Sequence, residues 1–366
     1  MKLWPARRNG PDSNTQRTTD MRALIVVADR KLELAELPPP PPPGPAEVQI
    51  RIAAVALNHI DVWGWRGMAF AKRKLPLVVG AEAAGLIVAA GADAAFKPGD
   101  PVVMYGGLTC GICRACREGR DNLCENIGGI MGFHVDGFAR ERLNLPTRLV
   151  IAVPPGVALR DAACAPIAFS TVQHMLFDNA RLEPGETVLV HAGGSGIGTA
   201  AIKMAKAIGA IVITTVGDDR KAERARALGA DHVINYRTER FEGVVRKLTG
   251  KKGVDVVFEH VGAETFNGSL LCLKRGGRLV TCGATSGPST TLNLMQLFQQ
   301  QYRIIGSFGA SMRNIRESLA KMAGGLTPVI DSEFALTEFE RGLERLESRQ
   351  VFGKIVIRFD GPAAPT

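Results

Sequence analysis

From Met21 onward the apolar positions fall into short runs. "RALIVVA" and "EVQIRIAAVAL" read as strands, and "PPPPPPGP" separates them. Prolines cannot donate ladder hydrogen bonds, so that run is expected to be a surface loop. β-rich pieces punctuated by Gly and Pro continue to about Val153, which predicts a mostly β unit. The pattern changes near Asp161. "ETVLVHA" predicts a buried strand and "IGTAAIKMAKAIG" a helix ended by Gly209. "IVITTV" then reads as a strand and "DDRKAERARALG" as a helix, with further strands at "HVINY", "VDVVFEHV" and "GRLVTCGA". Strand–helix alternation with continuously apolar strands predicts a parallel sheet covered on both faces. After Phe308 come a helix, a strand and "TEFERGLERLESR", expected to open with a capping box at Thr337 and Glu340. The last strand, "GKIVIRF", is expected to return to the β unit.

A chain of 366 residues is long enough for two domains with full cores. Its 46% hydrophobic and 22% charged content is ordinary for a globular protein. No apolar run approaches the roughly 18 residues of a membrane span, so no membrane partner is expected. The net charge of +9 raises the question of nucleic acid. The basic residues are scattered, however, without a stripe interleaved with aromatics, so no nucleic-acid partner is expected. A negatively charged cofactor accounts for part of the surplus. Residues 1–20 are polar and aperiodic and are expected to form a disordered tail. That tail reads either as a transit peptide or as sequence upstream of a true start at Met21.

Four of the seven cysteines lie in "CGICRACREGRDNLC" with the spacing C-x2-C-x2-C-x7-C. Four thiolates this close make a tetrahedral cage, and zinc is the expected occupant at Cys110, Cys113, Cys116 and Cys124. Two disulfides would be the other reading. The chain shows no charged-then-apolar leader, so a reducing, cytoplasmic setting is expected.

"VLVHAGGSGIGTAAIKMAKAIG" runs strand, glycine turn, helix. Gly193, Ser195 and Gly198 occupy the three positions of G-x-G-x-x-G, with Gly196 and Ile197 inside the turn. Such a turn lets the backbone approach a pyrophosphate seated on the helix N-terminus, and the Ser195 hydroxyl can itself donate to phosphate. At the tip of the second strand, where an NAD site places an acid, the chain reads Val216-Gly217. Gly217 leaves room for a 2′-phosphate that Arg220 or Lys221 would neutralise. Asp218 and Asp219 favour NAD unless they serve only as helix caps. NADP is the preferred expectation over NAD.

With these pieces placed, residues 21–359 resemble the medium-chain dehydrogenase/reductase superfamily, the zinc alcohol dehydrogenases and their quinone-reductase relatives. The matching stretches are the cysteine lobe, "NHIDVWGWRG", "VVGAEAAGLIVAAG", "KPGDPVV", the glycine turn and "GKIVI". The resemblance implies an α/β protein. A GroES-like, mostly β catalytic domain spans 21–168 and 310–360, and a Rossmann domain with a doubly wound parallel sheet spans 169–309. It also implies a structural zinc in the cysteine lobe and a homodimer formed through the Rossmann domains. Four protein thiolates saturate tetrahedral zinc and leave no position for substrate.

The family's catalytic zinc is held elsewhere, and there the chain departs from the pattern. Asn58 stands at the Cys position, Ala81 at the His position, and Ile167 at the third, ahead of Thr171. Ala and Ile cannot ligate, and Asn is a poor zinc ligand. The chain therefore looks like the zinc-free quinone and enoyl reductases, which pass hydride from NADPH to a conjugated carbonyl or quinone. The resemblance places Gly217, Lys221, Tyr236 and Arg349 around the 2′-phosphate; Thr171 is expected to touch the nicotinamide, and Cys282, ending a Rossmann strand, to border it with its backbone.

Asn58 is a candidate donor to the substrate carbonyl or the nicotinamide ribose, with a structural role as the other reading. His59 is a candidate contact for the pyrophosphate or a proton source. Asp61 and Glu82, left from the lost metal site, are expected to pair with a basic neighbour. His134 reads as a surface loop residue, and Cys164, Cys272 and Cys282 as small buried residues. The competing reading is an alcohol or aldehyde dehydrogenase whose metal is held by His59, Asp61, Glu82 and a fourth group.

Overall fold

The computed structural model describes residues 20–68 and 73–359; the expected N-terminal tail, up to residue 19, lies outside the described residues. Six strands form an all-parallel sheet in the order His232–Asn235, Ile211–Val216, Thr187–Val190, Val254–Glu259, Leu273–Thr281, Arg303–Gly306. Every residue of Val254–Glu259 is buried, as an apolar strand covered on both faces should be. The strand order reverses between Thr187–Val190 and Val254–Glu259, and a doubly wound sheet binds ligands at the carboxyl ends of strands beside such a reversal. Helix Gly196–Ala207 ends before Gly209, whose φ of 83° suits glycine.

A second, mostly antiparallel sheet of seven strands is built around Glu47–Ala56, and a three-stranded sheet joins Met21–Ala28, Lys31–Leu37 and Leu77–Val78. Val48, Ile50, Ile52 and Ala54 are buried on the long strand while Glu47, Gln49 and Arg51 are half-exposed, the period-two signature of a sheet with one core face. The proline run bridges Leu37 and Glu47 as a loop, its Pro41 carbonyl accepting from Asn144 Nδ2 at 2.9 Å. The terminal strand Lys354–Arg358 pairs antiparallel with Glu47–Ala56, carrying the chain end back across the molecule.

One local feature departs from expectation, and one helical run is irregular. The helix after Leu336 is not capped by Thr337 and Glu340. Instead Glu338 Oε2 accepts from the Ala335 N–H at 3.3 Å, and the α-helix proper runs Phe339–Glu347. Thr337 sits inside the preceding tight turn, Leu336–Glu338, and cannot act as a cap. The helical run Leu159–Asn179 widens to π geometry over Ala165–Phe169 and Gln173–Asn179. Pro166 removes one donor there, and its carbonyl is taken up by the Ser170 hydroxyl at 2.7 Å.

Candidate active site

The segment Leu57-Asn58-His59 leaves the long β strand and opens helix His59–Arg66. Asp61 Oδ2 accepts from the Asn58 N–H at 2.8 Å and Oδ1 from the Ala81 N–H at 3.0 Å. This buried carboxylate therefore staples two segments together through backbone donors rather than pairing with a basic side chain, which corrects the expectation for Asp61. Burial pushes its pKa up to about 6 against the pull of those donors.

Glu82 does meet a basic neighbour, one that no local motif points to. Lys354, only 3% exposed, donates to the Leu57 carbonyl at 2.8 Å and to Asn58 Oδ1 at 2.7 Å, and its Nζ lies 3.7 Å from Glu82 Oε1. Asn58 Nδ2 in turn donates to Glu82 Oε2 at 2.9 Å and to the Ala56 carbonyl at 3.2 Å. A flipped amide would set Nδ2 against an ammonium and Oδ1 against a carboxylate, so electrostatics dictates its orientation. Both amide hydrogens are thus engaged, and Asn58 has none left for a substrate carbonyl or ribose. Its role is to link Lys354 to Glu82. Glu82 is fully buried, its Oε1 has no hydrogen-bond partner among the described residues, and burial raises its pKa to about 7. It sits poised to hold or release a proton near neutrality.

His59 is half-buried. Burial first, then His260, Arg349, Arg66 and Lys354, drive its pKa down to about 4, so the ring is neutral at pH 7. A ring surrounded by bases in this way suits an anionic ligand. Ala81 is buried and Ile167 half-buried, both apolar. Among the described residues, the cysteines are the one set of three or more His, Cys, Asp or Glu side chains whose ligand atoms converge. His59, Asp61 and Glu82 form no such set.

The four cysteine sulfurs, Cys110, Cys113, Cys116 and Cys124, lie within 4.8 Å of one another. Zn–S bonds of about 2.3 Å place tetrahedral sulfurs nearly 4 Å apart, so the set fits zinc. Backbone N–H groups support the thiolates: Cys110 donates to Cys124 Sγ and Cys113 to Cys110 Sγ, both at 3.3 Å. Donors at Ile112 and Cys113 hold the Cys110 thiol down to about 6. The lobe otherwise buries only Cys113, Ala115 and Cys124 as a small cluster of its own.

The glycine turn is a cradle that side chains would fill. A Cβ on Gly193 would lie 2.2 Å from Thr214 Oγ1, on Gly198 2.3 Å from the Ala192 carbonyl, and on Gly196 2.6 Å from Lys354 Cδ. Ser195 caps the helix, its Oγ accepting from the Gly198 N–H at 2.9 Å, and Ile197 is half-buried beside it. Gly217 lies under Tyr236, whose hydroxyl would be 2.7 Å from an added Cβ. Lys221 Nζ donates to the Arg349 carbonyl at 2.6 Å. These four residues are therefore gathered at one edge, and Arg237, absent from the expected set, adds its charge to Lys221. The acids there are engaged. Asp218 caps the helix through the Lys221 N–H at 2.8 Å, and Asp219 accepts from Asn235 Nδ2 at 2.9 Å. The residues present fit a dinucleotide.

Thr171 is buried in the widened helix, Cys164 and Cys272 are buried, and His134 is exposed. Cys282, half-buried rather than buried as expected, follows strand Leu273–Thr281 and lines a cavity of ≈ 740 Å³. Burial pushes its thiol up to about 12, so it is a wall residue and not a nucleophile.

Comparison with known proteins fits this architecture. Residues 44–155 match the alcohol dehydrogenase GroES-like domain and residues 196–324 the zinc-binding dehydrogenase domain. Sorbitol dehydrogenase of Bacillus subtilis (strain 168) is 30% identical over 276 residues, 74% of this chain and 77% of that protein. Quinone oxidoreductase of Salmonella typhimurium is 31% identical over 322 residues, 83% of this chain and 88% of that protein. A solved structure described as an NAD-dependent alcohol dehydrogenase superposes with a TM-score of 0.87 at 41% identity, covering 92% of this chain and 99% of its own. A GroES-like domain joined to a Rossmann domain defines the class, an NAD(P)-dependent oxidoreductase. The chain belongs to the medium-chain dehydrogenase/reductase superfamily.

Proposed function

We propose that the protein reduces a conjugated carbonyl compound or a quinone with NADPH, without a metal at the substrate oxygen. The observation that carries this reading is the occupancy of the three former ligand positions by a fully engaged amide, a methyl and an aliphatic side chain. Bound NADPH supplies the hydride. The glycine turn and the neutral His59 receive the pyrophosphate, while Lys221, Tyr236 and Arg349 receive the 2′-phosphate. Lys354 contributes the field of a fixed buried positive charge rather than a hydrogen bond, its donors being spent on Leu57 and Asn58. Glu82, titrating at about 7, holds a proton beside it. An enone or quinone needs only such electrostatic help, whereas oxidising a saturated alcohol needs a Lewis acid to lower its pKa. Zinc in the cysteine lobe has four protein ligands and serves as a clamp.

The working unit is proposed to be a homodimer in the cytoplasm. No helix among the described residues is long and apolar enough to cross a membrane. Among the described residues, strand Arg303–Gly306 has a neighbour on one side only, and near it Leu294, Met295 and Phe298 are 57–66% exposed on a helix that buries none of its residues. An open edge flanked by such a patch suits a second copy.

The second reading, an alcohol or aldehyde dehydrogenase, is favoured by the alcohol dehydrogenase name of the 41%-identical structure. One experiment separates the two. Zinc per chain is counted, and NADPH oxidation is screened against quinones, enones, enoyl thioesters and aldehydes. One zinc with turnover of enones or quinones that resists chelators supports the first reading. Robust alcohol oxidation by protein holding a single zinc per chain overturns it.

A further inference from the structure

The cavity beside Cys282 is walled on one side by the ends of strands Leu273–Thr281 and Arg303–Gly306, including Ser307 and Phe308. Asn122 and Leu123, which lie between zinc-lobe ligands Cys116 and Cys124, also line it. Leu123 is 49% and Phe308 60% exposed, so two large apolar side chains border this space with much of their surface uncovered. The wall is held from several directions. Asn122 Nδ2 donates to the Phe308 carbonyl at 2.9 Å and lies 3.4 Å from His174 Nε2. The His174 ring is oriented by Asp178 at 3.1 Å, and Asp178 accepts from Asn314 Nδ2 at 2.8 Å. The neighbouring Asp121 Oδ2 accepts from the Met312 N–H at 3.2 Å.

We infer that this cavity receives the bulky apolar substituent of the substrate, and that the zinc lobe, through Asn122 and Leu123, is its specificity wall. Among the described residues no carboxylate lines the space; Leu123, Phe266 and Phe308 supply apolar surface, with Arg120, Asn122 and His174 as polar neighbours. A volume of ≈ 740 Å³ has room for a substituent beyond the nicotinamide expected beside Cys282. The class it suits is a conjugated carbonyl bearing an aryl or long alkyl group, with the reacting carbon toward Cys282. The identity of the reacting group rests on the function proposed above, whereas the fit of an apolar substituent does not. The clamp thus has a second role, because the loop that zinc rigidifies also selects substrate.

The test is a calorimetric titration of the full-length NADP⁺ complex with benzylideneacetone, which carries a phenyl group, and with methyl vinyl ketone, which does not. Leu123→Trp should fill the cavity and weaken benzylideneacetone binding about tenfold or more, the worth of burying one aromatic group, with NADP⁺ affinity and melting temperature unchanged. Leu123→Ala, which keeps the space but loses contact, should weaken it about threefold, and this variant decides the matter should the Trp protein not fold. In turnover, both changes should act on KM for the phenyl compound and leave methyl vinyl ketone unaffected. Binding that responds to Leu123 without turnover of either ketone would uphold the cavity and refute the proposed reaction. Benzylideneacetone binding that ignores both substitutions, or NADP⁺ binding that is lost with them, would overturn the inference.

Discussion

Replacing Lys354 by Met should damage the protein more than any other single change at the buried cluster. The ammonium lies 3.7 Å from a carboxylate oxygen that has no hydrogen-bond partner among the described residues. At an effective dielectric constant of ~20, that separation corresponds to an attraction of about 4 kcal/mol. Met has nearly the length of Lys and preserves the stem packed against Gly196. What it removes is the charge and the donors to Leu57 and Asn58. Breaking a buried pair from one side typically costs about 3–5 kcal/mol where the remaining group stays charged. The comparison is made above about pH 8, where Glu82, titrating at about 7, is ionised. Lys354→Met should therefore lose that much stability in urea unfolding followed by the fluorescence of Trp65, which is buried in the β unit. Glu82→Gln should cost less, about 1–3 kcal/mol, since Lys354 keeps its two oxygen acceptors. The double variant should fall well short of the sum, with a coupling of at least ~2 kcal/mol. Additivity within ~0.5 kcal/mol would refute the claim that these groups form one unit.

Cys113→Ser should lose zinc and melting temperature together, since three thiolates hold the metal less firmly and the lobe has little other core; retained melting temperature with lost turnover, measured beside metal content, would make the metal catalytic. NADPH should bind at least about tenfold more tightly than NADH in a fluorescence titration, because each charge-assisted contact at Lys221 or Arg349 contributes about 1.5–3 kcal/mol. Equal affinities would remove the basis for NADP. Glu82 titrates at about 7 in the folded protein against an ordinary 4.5, so the folded state holds its proton more tightly. Its contribution is full below pH 4.5 and fades as pH rises through 7; relative to wild type, Glu82→Gln should thus gain up to about 3 kcal/mol across that window. His59, with its pKa lowered to about 4, slopes the opposite way in both proteins and cancels in the difference, which urea midpoints at several pH values would measure.

Features written in short stretches of chain are legible from the residues alone. Cys110 to Cys124 span fifteen residues, and the glycine turn sits between one strand and one helix, so spacing conveys their chemistry. The doubly wound sheet is legible for the same reason in five of its six strands; the sixth, Arg303–Gly306, is a short exposed edge without a buried apolar run. Caps are harder: moving the reach-back from Glu340 to Glu338 depends on how tightly one turn closes. The buried cluster is mostly hidden. Lys354 and Asn58 are 296 residues apart, and only the antiparallel pairing of the last strand with Glu47–Ala56 brings them within 2.7 Å. One sign is present, a lysine inside the apolar run "GKIVI", since Lys is almost never buried without a partner. Which partner it finds, and that finding it uses up the amide of Asn58, is settled by sheet register and the exclusion of water. Neither leaves a mark in the local pattern of residues, because both are properties of surfaces that meet only when the chain has folded.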